Sequence, residues 1–172
     1  MFVAHDVLLD VAFGVARPRL VSLARSRALV DASRAAYQEG LTSITRAGSA
    51  PADAAGPRLA QVQFLPPVER PDTTTIGLRW EARDATGLFP VLDADITLAV
   101  ASEHTSTLTL SGVYRTASEG AAEGAAEGAA EGAARPGAAA PGAPVPDETD
   151  RGLVADVAVR SLLRYAAAYL TR

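Results

Sequence analysis

The chain contains no cysteine, and that absence excludes disulfide staples, thiolate nucleophiles and sulfur-ligated metal centres together. Lysine is missing too, so all sixteen basic residues are arginine. Histidine occurs only as His5 and His104, far apart in sequence, and no carboxylate cluster joins either with metal-ligand spacing. No metal and no cofactor is expected. Aromatic residues make up 5% of the chain, so the few rings (Phe2, Phe13, Phe64, Phe89, Trp80 and the four tyrosines) mark important packing positions. No apolar run approaches the roughly 20 residues of a membrane span. The apolar stretch Met1 to Phe13 is interrupted by His5, Asp6 and Asp10 and lacks a basic leader, which makes it a poor signal peptide. A cytoplasmic protein without membrane contact is the expectation.

What the chain does have is enough apolar material for one core. With 172 residues, 48% of them hydrophobic, it suits one domain better than two. The net charge is -4, and the segment from Glu119 to Pro146, with four Glu and one Arg, holds most of it. The remainder is nearly neutral, with arginines scattered among acids. Binding to nucleic acid needs a concentrated basic face and is therefore disfavoured.

Periodicity gives the order of elements. Val3, His5, Val7, Leu9 and Val11 alternate with Ala4, Asp6, Leu8 and Asp10, as in a strand. From Gly14 the spacing becomes helical, with Leu20, Leu23 and Ala24 on one face and Pro18 tolerable in a first turn. A second short helix, Leu29 to Glu39, joins Leu29, Ala32, Ala36 and Tyr37 and closes at Gly40. Leu41 to Arg46 reads as a short strand, Gly48 to Pro57 as a loop, and Leu59 to Leu65 as a strand stopped by Pro66 and Pro67.

The clearest signal is the strict alternation of three further strands, Thr74 to Arg83, Val91 to Val100 and Thr105 to Arg115. They are joined by Asp84 to Pro90 and by Ala101 to His104. One face carries Ile76, Leu78, Trp80 and Ala82, then Leu92, Ala94, Ile96 and Leu98, then Leu108, Leu110, Gly112 and Tyr114. A sheet greasy on one side needs a cover. The last helix supplies it: from Asp147 to Asp150 it runs to the end of the chain, with Leu153, Val154, Val157, Ser161, Leu162, Tyr165 and Tyr169 on one broad face. Asp156, Arg160 and Arg164 take the other face.

Before that helix stand four copies of Glu-Gly-Ala-Ala over residues 119 to 134, then a tract rich in Pro, Gly and Ala. Glycine costs about 1 kcal/mol against alanine in a helix, and glutamates four apart repel, so a disordered insert is expected. The expected organisation is a sheet with two short helices over 1–117, the insert over 118–146 and the terminal helix over 147–172.

Residues Leu78 to Arg115, LRWEARDATGLFPVLDADITLAVASEHTSTLTLSGVYR, resemble actinobacterial members of the SRPBCC superfamily, also called START-like or polyketide-cyclase-like. The blocks RWEA, LFPVLDAD and LSGVYR carry the resemblance. It implies an α+β helix-grip fold, a curved antiparallel sheet wrapped around a long C-terminal helix, with two short helices after the first strand. It also implies a cavity for a hydrophobic small molecule. The long insert departs from the pattern. Because the superfamily spans cyclases, lipid carriers, hormone receptors, allergens and chaperone cofactors, the fold alone does not choose an activity.

The candidate ligand-binding residues are Trp80, Leu98, Leu110, Tyr114, Leu162, Tyr165 and Tyr169, which could converge between sheet and helix, the polar tips orienting an apolar guest. A binding or carrier module is the leading reading. One alternative is a cyclase or dehydratase in which Tyr114, Tyr165 or His5 moves a proton; another is a cavity-free interaction domain. No catalytic residue can be assigned. Asp93 and Asp95 share the face opposite Leu92 and Ala94, facing Arg79, Glu81 and Arg83 of the neighbouring strand, so a solvated cross-strand charge ladder is expected rather than a carboxylate dyad. The oligomeric state is left open.

Overall fold

A computed structural model describes residues 2–46, 58–83, 91–115 and 148–172. Alternation in β1 (Phe2–Leu9) gives way to helix at Phe13, whose buried ring anchors the start of α1 (Phe13–Arg25). The carbonyl of Ala12 accepts from the Val15 and Ala16 N–H groups and closes the first turn. Pro18 therefore lies inside α1 instead of in its first turn; its ring is exposed and forgoes a single backbone bond. Ser26, extended and capping Leu23 through both N–H and Oγ, turns the chain into α2 (Arg27–Arg46).

Helix α2 corrects two expectations. It does not stop at Gly40, and Leu41 to Arg46 is helix and not strand. Buried Leu41 and the close packing around Gly40 outweigh the roughly 1 kcal/mol that a mid-helix glycine costs.

The strands β2 (Arg58–Phe64), β3 (Val68–Glu69), β4 (Thr73–Arg83), β5 (Val91–Val100) and β6 (Ser106–Arg115) follow, and the chain ends in α3 (Glu148–Leu170). All pairings are antiparallel, in the order β1-β6-β5-β4-β2, with β3 also on β4. The break between β2 and β3 falls at Pro66 and Pro67, which cannot donate to a ladder. The expected loop at Gly48 to Pro57, the connection at Asp84 to Pro90 and the repeat insert with its flanks lie outside the described residues.

Register sets the inner face of the sheet in rows. Val62, Trp80, Leu92 and Tyr114 form the first; Phe64, Leu78, Ala94, Gly112 and Val3 the second. Ile76, Ile96, Leu110 and His5 make the third, and Thr74, Leu98, Leu108 and Val7 the fourth. Helices α2 and α3 cover this face, burying Val154, Ala158, Val159, Leu162, Leu163, Ala166 and Leu170 of α3. The result is an α+β architecture of one open six-stranded antiparallel sheet and, among the described residues, three helices. It is consistent with a helix-grip.

The terminal helix is rotated from the face read in sequence. Leu153 and Tyr165 are exposed, while Ala155, Ala158, Val159 and Leu163 point inward. Small residues win because α2 lies against α3: a Cβ placed on Gly40 would stand 2.5 Å from the carbonyl oxygen of Val154 and 3.3 Å from the Cβ of Ala158. Alanines permit that approach where a tyrosine would not.

Candidate functional site

Leu98, Leu110 and Leu162 have 0% accessible surface, and a side chain bordering a water-sized void would retain some. At these three positions sheet and helix are meshed. In the second row Ala94, 7% exposed, stands beside Gly112. A Cβ added at Gly112 would run into the Cβ of Ala94, so the inner surface is closely packed at this pair as well; the space that reaches these two residues is a cleft of about 540 Å³ on the outer face, bordered by Phe2, Gln63, Arg79 and Val113.

Trp80 stands in the first row, on β4. It is 3% exposed, yet its Nε1 donor has no partner among the described residues. Leaving such a donor buried and unpaired costs about 1 to 3 kcal/mol. The indole meets the Tyr37 ring of α2 edge to face, centroids 6.4 Å apart and planes at 79°. Tyr114 lies in the same row, with Leu92 between it and Trp80. Trp80 and Tyr114, two of the expected ligand-binding rings, therefore do come to one end of the interior. Tyr37, which sequence analysis placed only in a helix core, joins them; its spacing from Leu29 and Ala36 signalled burial but nothing about Trp80.

The other two rings do not join them. Tyr165, 39% exposed, borders a groove of about 470 Å³ between α2 and α3, floored by Ala28, Ala32, Ala35 and Ala36. Glu39 on its rim accepts from Ser161 Oγ and Arg164. Tyr169 is half-buried at the far end of α3, near Leu170, whose carbonyl accepts from Arg19 at 2.6 Å.

His5 Nε2 lies 2.6 Å from Asp156 Oδ1, so β1 is tied to α3; Asp156 Oδ2 also accepts from Arg160 at 2.9 Å. His5 pairs with Leu110, four residues along β6 from Tyr114, a separation of about 13 Å along the strand. With Tyr165 outside, the three groups considered for proton transfer are not brought together. His104 is exposed in the β5–β6 turn, where Ser102 and Thr105 bond one another. On the outer face Asp93 pairs with Arg79 at 3.7 Å, the exposed cross-strand pair expected, and with Arg115 of β6 at 2.7 Å, which the sequence did not single out. Among the described residues no group of three or more His, Asp or Glu is arranged to hold a metal ion, and no helix is long and apolar enough to cross a membrane.

No family model matches the chain, and no curated protein matches it. Among solved structures it is similar to the aromatase/cyclase Zhui from Streptomyces sp. R1128, at 11% identity over 96% of this chain and 93% of that one, with a TM-score of 0.24. A likeness so slight carries neither fold nor activity across.

Proposed function

We propose that this protein binds an apolar small molecule carrying a hydrogen-bond acceptor, lodged at the Trp80 end of the interior between the sheet and helices α2 and α3. The observation that supports this is the buried Trp80 Nε1 with no partner among the described residues, in the same inner row as Leu92 and Tyr114 and edge to face with Tyr37. A carbonyl or phenolic oxygen on the guest would satisfy the indole. Its apolar body would lie against Trp80, Leu92 and Tyr114, gaining about 25 cal/mol per Å² taken from water. Leu98, Leu110 and Leu162, fully closed off, then serve as the packed floor that ends the site. The resemblance to SRPBCC proteins, many of which enclose hydrophobic small molecules, agrees with this binding or carrier role.

Trp80 is the chain's one tryptophan, so its fluorescence reports the site directly. Native mass spectrometry of freshly purified protein is expected to show a retained small molecule. Titration with aromatic ketones or phenols is expected to shift Trp80 emission saturably, and Trp80→Phe to weaken binding about fivefold to tenfold, the worth of one buried hydrogen bond. A protein that retains nothing and whose emission stays constant across such compounds does not have this function.

A further inference from the structure

The sheet ends in two edges of opposite character. At the β2 edge the register shifts between Leu59 and Gln61, and Pro66 and Pro67 follow directly, features that discourage pairing with another strand. At the other edge β1 pairs with β6 without a break from Phe2↔Val113 to Leu9↔Ser106. It contains no proline, glycine or lysine, and among the described residues nothing pairs with its second side. Its outer face carries Phe2, 67% exposed, and Leu8, 64% exposed, the two most exposed large apolar residues described. Val113 lies exposed beside Phe2.

An open strand edge of this kind is a template for another strand, and its sequence selects which. Residues opposite each other in an antiparallel pair share a face, so a second copy of β1 can pair only odd with odd and even with even. With the two-fold axis at His5, Phe2 meets Leu8 of the second copy on the outer face, twice, and Val3 meets Val7 on the inner face, twice. With the axis at Asp6, that carboxylate faces its own copy and Phe2 meets Asp10. With the axis at Ala4, Leu8 falls beyond the pairing. The His5 register alone covers both exposed apolar side chains. In this register His5, held by Asp156 within each copy, meets His5 at the axis, and Asp6 stands opposite Ala4 instead of opposite a second carboxylate.

From this self-complementarity we infer that the protein forms a two-fold dimer through β1, giving one sheet continuous across both copies. Light scattering coupled to size exclusion, run from about 1 to 300 µM, is expected to show a species of twice 17.7 kDa growing with concentration. Phe2→Glu with Leu8→Glu puts like charges in both outer pairs and is expected to raise the dimer dissociation constant at least about tenfold, with unchanged far-ultraviolet circular dichroism. Phe2→Glu with Leu8→Arg, which places opposite charges in the same pairs, is expected to recover much of that loss. A single 17.7 kDa species throughout overturns the inference. So does association that the two glutamates leave as strong as before.

Discussion

Gly40 of α2 packs directly against Val154 of α3: a Cβ on the glycine would lie 2.5 Å from the valine carbonyl oxygen and 3.1 Å from its Cγ1. Two opposed effects follow for Gly40→Ala. Helix propensity improves by about 1 kcal/mol, while forcing a methyl against backbone in a packed contact costs about 1 to 3 kcal/mol. The obstacle is a carbonyl that cannot rotate away, so the packing cost should win. Urea denaturation is expected to show a lower midpoint, and a stabilised variant would place α3 elsewhere.

The two sheet glycines should respond differently to the same change. At Gly112 an added Cβ runs into the backbone and Cβ of Ala94, whereas at Gly77 it meets the side chain of Leu65, which is exposed and can swing aside. Gly112→Ala is expected to cost about 2 kcal/mol or more, and Gly77→Ala under about 1 kcal/mol. Equal losses in paired thermal melts would contradict this geometry.

Helix phase can be tested on α3 alone. Leu162 is fully buried and Tyr165 is not, although a single turn of helix separates them. Leu162→Ala is expected to lose about 2 to 5 kcal/mol and Tyr165→Ala about 1 kcal/mol or less. The reverse order in chemical denaturation would restore the helix face read from sequence.

The hydrogen bond from His5 to Asp156 joins β1, at the start of the chain, to α3, at its end. Both side chains are partly exposed, so the coupling should be modest. A double-mutant cycle with His5→Ala and Asp156→Asn is expected to give an interaction energy of about 0.5 to 1 kcal/mol. A coupling indistinguishable from zero would mean that this contact does not secure the helix.

Alternation alone made the sheet legible. Ile76 to Tyr114 repeats with period two over three strands, and every inner-face apolar residue from Ile76 to Trp80 is buried as that period requires. The pairing of Asp93 with Arg79 was readable for the same reason, since parity assigns a face before any strand is paired, whereas the closer partner, Arg115 on β6, was not among the residues named from sequence. Helices offered less. A period of 3.6 leaves neighbouring faces nearly equivalent in an alanine-rich segment, so α3 could be placed with either Tyr165 or Val159 inward.

What the amino-acid sequence determined by itself was local: which segments alternate, which repeat as helix, and which chemistries are impossible without cysteine. Tertiary structure decided the remainder. It carried α2 through Gly40 because α3 needed a residue without a side chain there. It closed the interior at Leu98, Leu110 and Leu162, and it left the Trp80 Nε1 unpaired against the Tyr37 ring, because filling and hydrogen bonding depend on residues distant in the chain.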